Sequence, residues 1–251
     1  MNKIMQLYLD NKQRTKQPVN LVRNASEASL YIYDVIDAYW GVSALNVVDA
    51  LAQIDDATVL NVYINSPGGD VFEGRAIMAA IQRFNGKTIA HIDSLCASAA
   101  TSIALACNEV EMTDGAFFMI HNASGMVWGD KTAMRETADL LEKIEGSIVT
   151  DYTNKTGKDA AEVIALMDAE TWFSAQEALD GGFIDRIAAS SSSKTNQNKW
   201  NLAAFEKAPA ALLAIPYESP APNNQIINEP APAGFFMAAS NANRLALLQA
   251  L

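Results

Sequence analysis

The chain has 251 residues, half of them hydrophobic, which is enough apolar material for one substantial core with additional segments. Its formal net charge of −11 at pH 7 argues against nucleic acid as the main partner, because phosphate backbones attract basic surfaces. Residues 1–20 hold no continuous apolar run typical of a signal peptide, and no other stretch reaches membrane-spanning length. We therefore expect a cytoplasmic protein that makes no membrane contact.

Strands and helices alternate along the first half of the chain. The pattern predicts a strand over 29–36, and Ser43 is positioned to cap a helix that runs to about Ile54. β-branched and apolar residues predict a buried strand over 58–65, and a helix over 71–84 follows it. The predicted apolar face of the first helix consists of Leu45, Val48, Leu51 and Ile54.

The alternation continues through the second half, which includes one unusually long helix. This helix is predicted over 130–153, and a capping box formed by Ser174 and Glu177 opens a short final helix that two glycines end. The repeated β–α units predict an α/β fold with a mainly parallel sheet. The other elements are strands over 88–93, 110–112 and 117–121 and a helix over 98–107. The apolar stripe of the long helix consists of Met134, Ala138, Leu141, Ile144, Ile148 and Tyr152.

The composition changes abruptly after Ile187. A serine run occupies 190–193, and six of the eight prolines lie within 209–232, a pattern typical of linkers and low-complexity segments. Two Ala- and Leu-rich islands, 200–215 and 235–251, are interpreted either as short helices that dock on a partner or as transient helices in an irregular tail. The predicted division is an N-terminal segment over 1–28, a folded domain over 29–189 and a Pro-rich C-terminal extension over 190–251.

Ser98 lies between Ala97 and Ala99, where a predicted strand turns into a helix of small residues. Its small neighbours leave room for a substrate carbonyl, and the start of a helix stabilises developing negative charge. His121, one of only two histidines, follows a second predicted strand and is a candidate general base for a serine nucleophile. Taken alone, Ser98 is also interpretable as a helix N-cap. The other histidine, His91, is interpreted as a packing or hydrogen-bonding residue inside a strand.

A glycine-rich turn, Ser66-Pro-Gly-Gly69, separates a predicted buried strand from the next helix. Tandem glycines can present backbone amides to an anion, because no Cβ blocks the approach. The turn lacks the lysine of a phosphate-binding loop, which disfavours phosphate as that anion. The other interpretation is a tetrahedral oxyanion, which the amides of Gly69 and Ala99 could bind together.

Three motifs in fixed order resemble the signature of Clp-type serine peptidases, the ClpP family. The resemblance extends through 172–185, similar to the last helix and strand of that family, and covers 29–187. It implies a ClpP/crotonase-like fold. The motifs are Ile64-Asn-Ser-Pro-Gly-Gly69, Cys96-Ala-Ser-Ala-Ala100 and Met119-Ile-His-Asn122.

The resemblance also implies roles for individual residues. Ser98 is then the nucleophile, His121 the general base, and the amides of Gly69 and Ala99 the oxyanion hole. In the family an aspartate lies just before an aromatic-hydrophobic-Ser-Ala stretch, and the matching residue here is Glu170. Glutamate can also orient an imidazole, so Glu170 is the favoured third member. Asp168, two residues earlier, is the alternative.

We expect neither a metal nor a cofactor. The two histidines are distant in sequence, and the two cysteines, Cys96 and Cys107, lie in apolar surroundings, which makes a poor ligand set. A residue at the end of a strand and one three turns into the next helix rarely meet in a disulfide. Both cysteines are therefore predicted to be buried free thiols.

The resemblance is most specific to the Clp-like proteases of bacteriophage head-assembly modules. This more specific resemblance rests on three features: the sequence Ala97-Ser-Ala-Ala100, the sequence Glu170-Thr-Trp172 and the Pro-rich extension. It implies a homo-oligomeric ring around a closed chamber. It further implies processing of capsid or scaffold proteins in the bacterial host cytoplasm or inside the phage prohead.

Three other functions are weighed against head maturation. The first is a Clp peptidase that works with an unfolding ATPase. The second is a crotonase-type acyl-CoA enzyme, which also uses paired amides as an oxyanion hole but needs no Ser98–His121 pair. The third is an assembly protein that has kept the fold and lost turnover.

Overall fold

The computed structural model describes residues 7, 9, 19–24, 26–54, 58–188 and 200–213. The chain divides into two compact units, Met1–Ser219 and Pro220–Leu251, and all described residues belong to the first. The Ala-rich island over 235–251 and the proline-rich stretch before it lie outside the described residues. No helix in the described ranges combines the length and the apolar character that crossing a bilayer requires.

The numbered elements are taken from the described residues in chain order. The strands are β1 (Asn20–Asn24), β2 (Glu27–Ile32), β3 (Val59–Ser66), β4 (Lys87–Ala97), β5 (Glu109–Thr113), β6 (Phe117–Ile120), β7 (Thr171–Ser174) and β8 (Arg186–Ala188). The helices are α1 (Ala44–Leu51), α2 (Val71–Gln82), α3 (Ala99–Leu105), α4 (Lys131–Thr156), α5 (Ala160–Asp168), α6 (Ala175–Asp180) and α7 (Ala210–Leu213).

One sheet organises these elements, in the order β1-β2-β3-β4-β5-β8. Neighbours from β2 to β8 run parallel, whereas β1 is antiparallel to β2. A branch leaves this path at β4, where β6 pairs with the far end of β4 and β7 pairs antiparallel with β6. The predicted α/β fold with a mainly parallel sheet is confirmed.

Strand β4 is 11 residues long. On the side away from β3, each half of β4 pairs with a different strand. Its first half, 89–92, pairs with β5, and its second half, Leu95–Ala97, pairs with β6. The predicted strand over 88–93 was therefore too short, because Leu95, Cys96 and Ala97 continue the ladder. Since β4 and β6 are parallel, their carboxyl ends lie side by side at one edge of the sheet.

The core lies between the sheet and the helices that cover it. Leu60, Val62 and Ile64 of β3 and Ile92 of β4 are fully buried, and their alternate spacing and register place them on one face of the sheet. The predicted buried strand over 58–65 is confirmed. Both cysteines are buried and free, and burial raises the pKa of the Cys107 thiol to about 12.

Helix α1 begins as predicted but buries a different face. Ser43 caps it by accepting a hydrogen bond from the Asn46 amide, and the helix ends at Leu51 rather than Ile54. The predicted face was wrong at two positions, because Leu45 is 67% exposed and Val48 is 41% exposed. The helix instead turns Val47 and Ala50 towards the core. Both stripes have helical spacing, so the position of the sheet decides which one is buried.

The long helix α4 is confirmed, with Asp130 as its N-cap. Its predicted apolar stripe is buried only near the carboxyl end, at Ile148 and Tyr152, whereas Met134 is 54% exposed. The first part of α4 therefore extends beyond the core. The capping box of Ser174 that opens α6 is also confirmed.

Strands β1 and β7 and helix α5 are among the elements that the local patterns did not predict. Strand β1 belongs to the segment 1–28 that the composition separated from the domain, yet it pairs with β2 at the edge of the sheet. Its side chains are mostly exposed, so it lacks the apolar alternation that indicates a strand. Helix α5 and strand β7 follow α4 and return the chain to β6.

Candidate active site

Ser98 occupies a strained turn between β4 and α3. Its backbone has φ 54° and ψ −126°, a conformation that costs a residue with a Cβ about 1–3 kcal/mol. Its amide donates to the Met119 carbonyl at 2.9 Å, which continues the β4–β6 ladder by one residue. Among the described non-glycine residues, positive φ occurs only at Ser98 and Glu170. Such strain persists where the surrounding structure holds it, and it concentrates at functional sites.

The Ser98 hydroxyl is paired with His121. Its Oγ lies 2.8 Å from Nε2 of the imidazole, within hydrogen-bond distance. Ser98 occupies the N-cap position of α3, but its side chain makes no capping hydrogen bond to the helix. The predicted helix start also moves by one residue, to Ala99.

The register of β4 and β6 explains why two residues 23 positions apart meet. Ala97 is paired with Met119 in a parallel ladder. Ser98 and His121 each follow the end of their strand, so both project from the same edge of the sheet. The sequence patterns predicted that both residues follow strands, and the structure brings the two side chains together.

A hydrogen-bonded chain supports the first turn of α3. The Thr101 hydroxyl donates to the Ser98 carbonyl at 2.6 Å and lies 2.5 Å from the Tyr152 hydroxyl. Because Thr101 has one hydroxyl proton, Tyr152 must donate in the second contact. Burial raises the pKa of Tyr152, which keeps that proton in place. The buried end of α4 thus braces the Ser98 turn, a contact that no local sequence signal predicted.

The predicted glycine turn lies directly against Ser98. Gly68 has φ +86°, and a Cβ there would come within 2.5 Å of the Ala97 carbonyl oxygen. Gly69 has φ +145°, and a Cβ there would come within 2.2 Å of the Ile36 carbonyl oxygen. Only glycine fits at either position, and at Gly68 the missing Cβ lets the backbone approach Ser98 closely.

Gly69 and Ala99, whose amides were predicted to form an oxyanion hole, both lie near Ser98: Gly69 shares a cleft with it, and Ala99 follows it in the chain. Gly69 and Ser98 line one narrow cleft together with His121. Ala99 is the first residue of α3, so its amide belongs to the turn that has no intrahelical acceptor.

Both candidate acids precede β7: Asp168 is the last residue of α5, and Glu170 lies directly before the first residue of the strand. Ile120 is paired with Thr171 in the antiparallel ladder, and His121 and Glu170 occupy the next positions on their strands. Glu170 is 6% exposed, and Trp172 Nε1 lies 3.4 Å from its Oε1. The alternative, Asp168, accepts a hydrogen bond from Asn122 Nδ2 at 2.7 Å. The register therefore places Glu170, rather than Asp168, opposite His121.

The C-terminal extension contributes residues that the sequence patterns did not assign to the site. Phe205 lines the Ser98–His121 cleft, and its ring centroid lies 5.7 Å from that of His121. Leu7, from the other end of the chain, lines the same cleft. The available sequence signal for this contact was a pair of isolated aromatic residues, Trp200 and Phe205, in an otherwise Ala-rich stretch.

The second histidine, His91, lies among hydrogen-bonding and stacking partners inside the sheet. His91 lies 3.0 Å from Asn61 Oδ1 and 3.2 Å from Glu111 Oε1, and its ring stacks on Tyr63. It lies in β4, as expected of a packing and hydrogen-bonding residue. Within the described ranges, no group of three or more His, Cys, Asp or Glu side chains is arranged to hold a metal ion.

Comparisons with known proteins point to one family. The family profile described as Clp protease matches residues 7–191. The chain belongs to the Clp protease family. Peptide-bond hydrolysis is therefore the class of activity to consider first.

Individual relatives are similar over the same region. A proteolytic subunit 1 of an ATP-dependent Clp protease from Protochlamydia amoebophila is 28% identical over 63% of this chain and 79% of that protein. The corresponding subunit 1 from Leifsonia xyli is 31% identical over 56% of this chain and 72% of its own length. A solved structure of a ClpP1 mutant from Listeria monocytogenes aligns with a TM-score of 0.58 and 22% identity. That alignment covers 65% of this chain and 92% of that chain, and it supports the ClpP-like fold.

The close approach of Gly68 to Ser98 predicts a position-specific effect of a single methyl group. Gly68→Ala and Gly115→Ala both place a Cβ at φ +86°, but only Gly68 has atoms within 4 Å of that Cβ. We expect Gly115→Ala to cost about 1 kcal/mol of unfolding free energy. Gly68→Ala should lower the unfolding free energy by more than Gly115→Ala does, and it should also displace the Ser98 turn. Urea denaturation and the rate of Ser98 phosphonylation measure the two effects, and equal effects of the two substitutions would contradict the argument.

Proposed function

We propose that this protein is a serine endopeptidase with Ser98 as nucleophile, His121 as general base and Glu170 as the acid that orients the imidazole. The observation that supports this most strongly is the 2.8 Å contact between Ser98 Oγ and His121 Nε2. A serine hydroxyl is a poor nucleophile until a neighbouring base takes its proton. The contact supplies that base, and the strained turn places the hydroxyl at the edge of the sheet.

The proposed reaction follows from these positions. His121 accepts the hydroxyl proton as Ser98 Oγ attacks the substrate carbonyl carbon, and the Gly69 and Ala99 amides bind the resulting oxyanion. The imidazolium then donates its proton to the leaving amine, which leaves an acyl-enzyme. His121 next activates a water molecule that hydrolyses this ester. Glu170 stabilises the imidazolium in both halves of the reaction.

The Ser98–His121 contact also separates this proposal from the crotonase-type alternative. Paired backbone amides alone suffice to bind the oxygen of an acyl-CoA thioester. Such an enzyme has no need of a hydroxyl and an imidazole at hydrogen-bond distance. An assembly protein without turnover would have no need of them either.

As substrates we propose capsid or scaffold proteins that are cut during bacteriophage head maturation. The motif setting of Ser98 and the Pro-rich extension support this assignment by resemblance. We further propose that the protein acts as a homo-oligomeric ring in the host cytoplasm or inside the prohead. The exposed side chains of Met134 and Leu140 on α4 support a contact between copies.

A second candidate is a proteolytic subunit that receives unfolded chains from an ATPase. The relatives from Protochlamydia amoebophila and Leifsonia xyli are named as subunits of ATP-dependent proteases, and this favours it. Both candidates share the chemistry at Ser98 and differ in how substrate arrives.

The nucleophile and base are tested together with a fluorophosphonate probe. We expect the full chain to be labelled at Ser98, and we expect Ser98→Ala and His121→Ala to abolish labelling and peptide hydrolysis. His91→Gln is the matched control, because it replaces the other histidine without removing its polar contacts altogether, and it should be labelled like the parent. Mass spectrometry of the intact protein and its peptides reads out the result. Labelling that persists in His121→Ala would contradict the assigned base.

The two candidate acids are distinguished by isosteric amides. We expect Glu170→Gln to lower kcat by about 10⁴-fold, by analogy with loss of the acid from a Ser-His-Asp triad. Asp168→Asn should leave kcat within about threefold of the parent, because it keeps a side-chain oxygen to accept the Asn122 hydrogen bond. Steady-state hydrolysis of a short peptide ester measures both. The reverse ranking would assign the role to Asp168.

The substrate proposal is tested by co-expression with phage capsid and scaffold proteins. We expect discrete cleavage products with the parent chain and none with Ser98→Ala, without any added ATPase. Gel analysis and N-terminal sequencing of the products identify the cuts. Cleavage that requires both a Clp ATPase and ATP would favour the second candidate.

A further inference from the structure

The C-terminal segment 200–213 packs against the edge of the sheet that carries Ser98 and His121. It contributes five buried side chains to one apolar cluster. The sheet contributes Leu95 and Ala97 of β4 and Met119 of β6, and all three are fully buried. The tail residues of this cluster are Trp200, Leu202, Ala204, Phe205 and Leu212.

Phe205 is the part of the segment closest to the catalytic pair. It is 7% exposed and makes edge-to-face ring contacts with His121 and Trp172, with centroids 5.7 Å apart in each case. It also forms part of the lining of the narrow cleft that contains Ser98. Aromatic rings held in this way are strong anchors, because they remove a large apolar area from water.

The same segment binds the candidate triad acid through its backbone. The Glu206 amide donates to Glu170 Oε2 at 3.2 Å, and the Lys207 amide donates to Glu170 Oε1 at 2.7 Å. The Lys207 ammonium also donates to the Ala169 carbonyl. Each carboxylate oxygen of Glu170 therefore accepts an amide of the extension. Charge-assisted hydrogen bonds of this kind are stronger than neutral ones.

We infer that the segment 200–213 is an intramolecular inhibitor that covers the peptide-binding surface beside Ser98 and must leave before a substrate can enter. This inference rests on the proposed serine peptidase function. The segment covers Leu95, Ala97 and Met119 with its own apolar side chains, so a substrate peptide cannot reach that surface while it is docked. Covalent attachment keeps the segment at high effective concentration, which favours the closed state until a competing event displaces it.

Docking of the segment also accounts for the buried aromatic residues of the extension. A tail that serves only as a linker has no need of two buried aromatic side chains, yet Trp200 and Phe205 are both buried. Release of the segment would free the oxygens of Glu170 and uncover the cleft in one step. Opening is therefore expected to act on binding and on the catalytic acid together.

The full chain tests the inference through two substitutions of the same type. Phe205→Ala removes the anchor, and truncation of an aromatic anchor at a packed contact weakens that contact by about tenfold or more. We expect Phe205→Ala to react about tenfold faster than the parent with a fluorophosphonate and to hydrolyse a short peptide ester faster. The matched control is Phe72→Ala, because Phe72 is 64% exposed and belongs to neither the apolar cluster nor the cleft lining. It should react at the parent rate.

Hydrogen exchange measures docking independently of activity. We expect the Glu206 and Lys207 amides to be protected in the parent and in Phe72→Ala, and to exchange about tenfold faster in Phe205→Ala. Leu212→Ala provides a milder second variant if Phe205→Ala fails to fold, and it should shift both measurements in the same direction. Circular dichroism establishes that each variant is folded.

The other possible results would overturn the inhibitory role of the segment. Unprotected Glu206 and Lys207 amides in the parent would overturn the inference, as would released amides in Phe205→Ala without faster labelling. Slower labelling of Phe205→Ala would show that the segment builds the substrate site instead of closing it, and would also overturn the inference. If released variants are folded but no variant is labelled at Ser98, the proposed function fails, and the inhibitory role fails with it.

Discussion

The parallel pairing of β6 with the second half of β4 is the constraint on which the candidate site depends. It aligns the ends of two strands so that Ser98 and His121 leave the sheet at the same edge. The ladder continues into the Ser98 amide, so the position of the nucleophile is fixed by the same hydrogen bonds that form the sheet. The antiparallel pairing of β7 with β6 then brings Glu170 to the position next to His121. Three remote parts of the sequence converge because β6 pairs with β4 on one side and with β7 on the other.

The rest of the structure holds the unfavourable conformation at Ser98. A positive φ at a residue with a Cβ is retained only when the neighbouring contacts outweigh its cost. Gly68 packs against the turn from one side, and the Thr101–Tyr152 hydrogen bonds hold the first turn of α3 from the other. Glu170 has the same kind of backbone strain, and the hydrogen bonds of its buried carboxylate help to hold it. Both strained residues have proposed catalytic roles.

The sequence predicted the elements that repeat a clear local pattern. The buried strand β3, the long helix α4 and the caps at Ser43 and Ser174 follow from β-branched runs, helical periodicity and capping residues. The burial of Val47 in place of Leu45 was not predictable, because two stripes of similar apolarity lie on one helix and tertiary packing selects between them. The exposed edge strand β1 gave no alternation to detect.

The site was predictable to the extent that its residues lie in short motifs. Ser98, His121 and the glycine turn were all assigned from the sequence, whereas the contact from Tyr152 depends on where α4 ends relative to α3. The docking of Phe205 also depends on tertiary structure, since a proline-rich extension with two aromatic residues is equally compatible with a free tail. Local patterns specify which side chains carry the chemistry, and the sheet topology specifies which of them meet.

A crystal structure of the phosphonylated protein would decide whether the three groups converge, because the phosphonyl group on a serine imitates the tetrahedral intermediate. We expect a covalent bond to Ser98 Oγ, a phosphonyl oxygen about 3 Å from the Gly69 and Ala99 amide nitrogens, and His121 Nε2 within hydrogen-bond distance of the adduct. An adduct at Ser98 whose oxygen faces away from both amides, with the His121 ring out of reach, would contradict this prediction.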